Sequence, residues 1–407
     1  MNSVPINPIR SRCLLICMFV IMLSLTSCAK PTETETITLN PLPKPRIVLP
    51  TDTPEPTATL PIPTPTSTPW PYEGNTPAPV ILSEFEEGIN PLTGLKVTEP
   101  SLLERRPVMV KVSNWPRSGR PHAGLSSADI VFEYYIGYQM NRFLAIYYGK
   151  DADIIGPVRS GRLVDAKLVD LYQGLLAYGD ADPGVDKVLV EKLGERALAF
   201  GFVPCPAMCG GATHDATGVF ANSGAISTYA DEEGISNQKP DLRGMVFQPE
   251  VPTGDEPGSK LSFMYADFSV MQWRYNPTSG LYDLWQDAES EDGRIILAPT
   301  VDRNTDQQLA FSNVLILFAN YFQYTSSLHD IDMLVGNRYQ SALLFRDGKL
   351  IYGTWHAPYN TQPLIFETPD GSLLPLKPGN TWIVLAGNHT LTQRVGVGEW
   401  DFSFDLP

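Results

Sequence analysis

Arg162-Leu163-Val164-Asp165-Ala166-Lys167-Leu168-Val169-Asp170-Leu171-Tyr172-Gln173-Gly174-Leu175-Leu176-Ala177-Tyr178 decides how the first half of this chain folds. Its apolar residues Leu163, Val164, Leu168, Leu171, Tyr172, Leu175 and Leu176 recur at spacings of three and four, which predicts a helix over 162–178. Three runs before it, Val108 to Val112, Ile130 to Ile136 and Arg142 to Tyr148, are rich in β-branched and aromatic residues and read as strands. Two helices are expected after it, Val185 to Leu193 and Asn222 to Glu233, the latter capped by Asn222 or Ser223.

Asp231 to Gly258 is polar and carries several prolines and glycines, so a linker is placed at 236–258. Beyond it the pattern turns to β. Leu261 to Tyr265, Val270 to Tyr275 and Leu281 to Trp285 suggest a meander, with a turn at Asn276-Pro277-Thr278-Ser279-Gly280. Asn313 to Asn320 and Trp382 to Leu385 read as core strands, and Asp347-Gly348 as the turn of a hairpin between Ser341–Phe345 and Leu350–Trp355. The expectation is an α+β protein: a mixed α/β domain over 81–235, then a mostly β domain over 259–407.

The amino-terminal segment carries a different kind of information. Arg10 and Arg12 precede an apolar stretch from Cys13 to Leu25, shorter than the roughly 20 residues of a spanning helix. Leu25-Thr26-Ser27-Cys28 follows, the pattern of a bacterial lipoprotein signal. Cleavage after Ser27 and lipid on the Cys28 sulfur are expected, placing the protein on the extracytoplasmic face of the cell membrane; an uncleaved anchor helix is the alternative. Residues 28–80 form a threonine- and proline-rich tether that cannot pack a core. In polyproline II form its reach is at most about 150 Å.

The net charge of −15 argues against nucleic-acid binding. Yet between Arg105 and Arg162 nine basic residues stand against four acids, a local excess of five positive charges. Gly156-Pro157-Val158-Arg159-Ser160-Gly161-Arg162 is its sharpest piece, a turn with two arginines at a helix start. Arginine's planar fork suits phosphate and carboxylate, and a helix start offers free N–H groups. Two readings stand: an anion-binding site built from Arg117, Arg120, Arg142, Arg159, Ser160 and Arg162, or arginines that pair with nearby acids and pin the loop.

Weaker candidates lie elsewhere. His214 and Asp215 follow two glycines, and Asp180 and Asp182 sit where a chain leaves a core element; these side chains suit acid–base work or a cation, or simply turn-making. Cys205-Pro206-Ala207-Met208-Cys209 allows a local disulfide if the segment turns, with free thiols as the alternative. No metal site or cofactor is expected, because a second ligand pair, a phosphate loop and a dinucleotide fingerprint are all missing from the sequence. No nucleophile elbow is present either.

Asn90-Pro91-Leu92-Thr93-Gly94, Arg106-Pro107, Gly124-Leu125, Ala128-Asp129-Ile130-Val131 with Glu133, Arg142-Phe143-Leu144-Ala145 and the Gly156–Arg162 loop together resemble the YerB-like lipoprotein family. Tyr275, Gly280, Tyr282 and Asn313-Val314 resemble its second domain. The family usually carries alanine where Gly161 stands and asparagine where Asp215 stands. The resemblance implies an α+β envelope lipoprotein and no established reaction. The residues favour binding of an anionic envelope polymer or peptidoglycan; a hydrolase or transferase acting on such a polymer is the alternative.

Overall fold

The computed structural model describes residues 85–211, 217–251, 256–336 and 338–406. The signal, Cys28 and the tether to residue 80 lie outside the described residues, as do His214 and Asp215. The fold is α+β.

Strand β1 (Val108–Ser113) is buried along its whole length, although it carries Lys111. A strand buried on both faces must lie in a sheet covered on both sides. That sheet also contains β2 (Ile130–Gly137), β3 (Met140–Tyr147), β4 (Leu175–Tyr178), β5 (Ala197–Ala199), β6 (Asn313–Ala319), β7 (Gln340–Arg346), β8 (Lys349–His356), β9 (Ile365–Glu367) and β10 (Thr381–Gly387). Among the described residues it has eleven strands, in the order β9-β8-β7-β6-β10-β2-β3-β1-β4-β5, with Glu256–Pro257 pairing with β8. β1 runs parallel to β4, β4 to β5, β2 to β10 and β6 to β10, while β3 and β7 run antiparallel to their neighbours.

Residues two apart share a face of a strand. Val108, Val110, Val112, Val131, Phe143 and Ala145 belong to one core with Phe263, Trp273 and Phe402 of a second sheet. Among the described residues that sheet has seven strands: a meander of Lys260–Ala266, Ser269–Asn276, Leu281–Glu289 and Ile295–Pro299, extended by Glu399–Ser403 and Leu391–Gly396, with Ala310–Phe311 beside Leu281–Glu289. Met109, Ile130, Phe132, Leu144 and Ile146 face the other way, onto helices α1 (Leu163–Tyr172) and α2 (Pro183–Leu193). Helix α3 (Ser223–Glu232), capped by the Asn222 side chain, joins the first core through Ile226 and Ala230. Each large side chain buried this way contributes roughly 1.5–3 kcal/mol.

The expected helix over 162–178 ends early. Gln173 adopts a left-handed conformation (φ 50°), and the Gly174 N–H closes onto the Val169 carbonyl at 3.1 Å. A Cβ at Gly174 would lie 2.7 Å from Met109 Sδ and 2.9 Å from the Pro107 carbonyl oxygen, so only glycine fits. Leu175–Tyr178 is β4, paired with β1 from Val108↔Leu175 to Val110↔Ala177. The second-half strands form where expected, and the Asp347-Gly348 turn has positive φ at both residues (53° and 73°), as a tight hairpin requires.

Strands from either side of 236–258 are hydrogen-bonded neighbours, from Ile130↔Thr381 to Tyr134↔Leu385, so one sheet runs through both parts of the chain. The Asn90–Gly94 motif braces it. Asn90 Nδ2 donates to Asp129 Oδ1 at 3.0 Å, and Asp129 Oδ2 accepts the N–H groups of Tyr148 and Gly149 at 2.7 and 2.9 Å.

Candidate functional site: an arginine-lined crevice

Strand alternation puts Lys111, Tyr134 and Arg142 on the face that carries α1. Register makes them neighbours: Arg142 stands opposite both Ser113 and Tyr134, and Lys111 opposite Leu144. Asp165, in the first turn of α1, meets them from above. The Lys111 ammonium donates to the Tyr134 hydroxyl and lies 3.3 Å from Asp165 Oδ1; the Tyr134 hydroxyl donates to the same oxygen. Asp165 Oδ2 also accepts the Arg162 backbone N–H at 2.7 Å, fixing the helix start. Lys111 and Asp165 are fully buried. Burial drives the Lys111 ammonium down to about 7, against the opposing pull of Asp165. Burial, then Asp165, holds the Tyr134 phenol well above its ordinary range.

The Gly156–Arg162 loop is stitched across the ends of two parallel strands. Arg159 N–H donates to the Lys111 carbonyl (2.8 Å), Gly179 N–H to the Arg159 carbonyl (2.9 Å), and Gly161 N–H to the Asp180 carbonyl (2.8 Å). The loop therefore sits beyond the carboxyl ends of β1 and β4, where open α/β sheets form their binding crevice. Arg142, at the start of antiparallel β3, comes to the same edge and donates to the Ser160 carbonyl at 2.9 Å. Arg162 donates to the Gly161 carbonyl at 2.8 Å.

These bonds leave the three guanidinium groups underused. The Nε atoms of Arg142, Arg159 and Arg162 are buried without a hydrogen-bond partner, and among the described residues none of the three makes an ion pair within 4 Å. Arg142 is 7% exposed. Burial, then Arg162 and Arg159, pulls its pKa well below the ordinary arginine value; burial lowers Arg162 as well. Arginine stays protonated in proteins, so these directions record burial and mutual repulsion, offset in part by Asp165 and, for Arg162, by Asp180. His329, on the short strand His329–Ile331, lies near enough to Arg162 to feel its charge. Its ring packs edge-on against Tyr135 at 5.0 Å, both ring nitrogens lack partners, and burial followed by Arg162 lowers its pKa.

Other residues singled out from the sequence stand apart. Arg117 and Arg120 pair with Asp287, at 2.7 and 3.0 Å, with Arg120 Nη2 left buried and unpartnered. Ser160 donates its hydroxyl to Asp180 Oδ1, and Asp182 caps α2 by accepting the Gly184 N–H at 2.9 Å. Cys205 and Cys209 are joined, with Cα atoms 4.8 Å apart. Among the described residues no three His, Cys, Asp or Glu side chains gather as a metal site would require. Lys111, Tyr134, Asp165 and His329 are the site residues that periodicity left unmarked. For Lys111 a signal was present: a lysine inside an otherwise apolar strand is almost never buried without a partner.

Residues 92–204, which hold the whole crevice except His329, match a family described as protein of unknown function (DUF3048), N-terminal domain; residues 261–383 match the C-terminal domain of the same description. The "Putative lipoprotein YerB" of Bacillus subtilis (strain 168) is 30% identical over 301 residues, covering 72% of this chain and 84% of that protein. The crystal structure of the YerB protein from Bacillus subtilis superposes with a TM-score of 0.60 at 28% identity, covering 73% of this chain and 96% of that one. With both halves matched in order and most of the relative spanned, the chain belongs to the YerB-like family.

Proposed function

We propose that this is a membrane-anchored lipoprotein whose folded head binds an anionic group of a cell-envelope ligand through Arg142, Arg159 and Arg162. One observation carries the reading: three guanidinium groups cluster at one end of the sheet, each with a buried, unpartnered Nε. Burying a charge without a partner is costly. A phosphate or carboxylate entering the crevice supplies the missing acceptors, in the bidentate geometry arginine favours. Lipid on Cys28 would hold the head at the extracytoplasmic face, in keeping with the lipoprotein name of the Bacillus relative.

The test is binding of polyphosphate, teichoic-type polymer and peptidoglycan fragments across a salt series. Charge-assisted bonds contribute about 1.5–3 kcal/mol each, so Arg159→Ala with Arg162→Ala weakens binding at least tenfold and flattens its salt dependence. Unchanged binding by the double variant overturns the reading. Intact-mass measurement of native protein checks the anchor: diacylated or triacylated Cys28 is expected, and an unmodified amino terminus contradicts it.

A second reading rests on Lys111, whose pKa near 7 and contact with Tyr134 suit a general acid or base behind the bound anion. This hydrolase or transferase reading requires turnover of an envelope polymer that Lys111→Met abolishes.

A further inference from the structure

We propose that the ligand is an amphiphile: a phosphate monoester whose head group sits on Arg142, Arg159 and Arg162 and whose hydrocarbon chain lies in the groove between α1 and α2. This rests on the anion-binding reading and specifies its ligand class. The groove has a volume of about 600 Å³, within the range of small-molecule sites. Its walls are mainly apolar: Leu163 and Ala166 from α1, Val185 and Val188 from α2, and Leu328 and Val335 from the segment beyond β6.

Position ties the groove to the crevice. Helix α1 leads into β4 and α2 leads into β5, and both strands run parallel to β1. The amino-terminal ends of both helices therefore lie at the sheet edge that carries the arginines. Leu163 follows Arg162 directly, and Leu328 directly precedes His329, so a crevice residue adjoins each wall at this end. From there the groove follows α1 as far as Leu171. The eight steps from Leu163 to Leu171, at 1.5 Å each, give about 12 Å of mainly apolar channel. Of its charged residues, Lys167 bonds Asp330 at 2.7 Å and Asp170 bonds Arg196 at 2.7 Å, and Lys192 stands in the last turn of α2, away from the arginines. The channel thus offers a chain a mainly apolar contact, and the arginines, none of them in an ion pair within 4 Å among the described residues, offer a head group positive charge.

The full-length protein in nanodiscs of zwitterionic lipid is titrated with alkyl phosphates from methyl to decyl, empty nanodiscs serving as the blank. Affinity is expected to rise by up to about fourfold per added methylene until the groove is filled, then to level off. Val188→Asp and the more exposed Val335→Asp are expected to erase that rise and leave methyl phosphate binding unchanged. Arg159→Ala with Arg162→Ala is expected to weaken every member of the series by the same factor. Equal affinity along the series, with the arginine effect intact, overturns the amphiphile inference while the anion reading stands. A rise with chain length that ignores the arginine variants overturns both.

Discussion

Lys111 Nζ and Asp165 Oδ1, from the first strand and the first helix, lie 3.3 Å apart with both side chains fully buried. The pair fixes α1 over the sheet beneath the arginines, with the Tyr134 hydroxyl as a third member. Removing one partner of such a pair leaves an uncompensated charge, at a cost of about 3–5 kcal/mol. Lys111→Met should lower stability by that amount in urea unfolding, and adding Asp165→Asn should recover a large part of it. A single variant as stable as wild type would show that the ammonium is not held there.

Glu133, next to Tyr134 on β2, points to the opposite face of that strand. It accepts Asn141 Nδ2 at 2.5 Å and Trp382 Nε1 at 2.7 Å, and burial raises its pKa from 4.5 to about 7. The folded state therefore holds this proton more tightly than the unfolded chain. Stability contributed by the neutral acid is complete below about pH 4.5 and declines as pH rises towards about 7. At 1.36 kcal/mol per pKa unit the swing is about 3 kcal/mol. Glu133→Gln should remove that part of the pH dependence, read as the wild-type minus variant difference in unfolding free energy at pH 4 and pH 8. An equal difference at both pH values would contradict the account.

Arg117 and Arg120 provide the contrast with the crevice. Both hold Asp287, which is 1% exposed. Arg120→Ala should destabilise the fold by about 1.5–3 kcal/mol, the loss of one charge-assisted bond, because Arg117 still pairs with Asp287. It should leave anion affinity unchanged, the reverse of the pattern expected for Arg159→Ala. Parallel melting curves and phosphate titrations separate the two classes.

The sequence disclosed the local elements better than their assembly. Val108–Val112, Ile130–Ile136 and the Asp347-Gly348 hairpin could be read because alternation and turn chemistry are local properties. Leu175–Tyr178 could not: its apolar residues continue the helical spacing, and the stop depends on how closely Gly174 approaches Met109 and Pro107. The pairing of Ile130 with Thr381 links residues far apart in the chain, and no local pattern records it.

The site was half visible for the same reason. Gly156–Arg162 stands out as a basic loop, and Arg142 belongs to the basic stretch. What separates Arg142 from Arg117 is the presence of Asp287 beside one and not the other, a fact of folding alone. Lys111 joins Asp165 because strand alternation and the first turn of α1 meet there. His329 reaches Arg162 only once the chain beyond β6 folds back.

The central claim is that the orphaned Nε–H groups of Arg142, Arg159 and Arg162 await an anion. Arginine-selective nitrogen-15 spectra, recorded while methyl phosphate is added, test it most directly. All three Nε–H resonances should shift and saturate together, with Arg117 and Arg120 unmoved. Three stationary resonances, or a shift confined to Arg117 and Arg120, would contradict it.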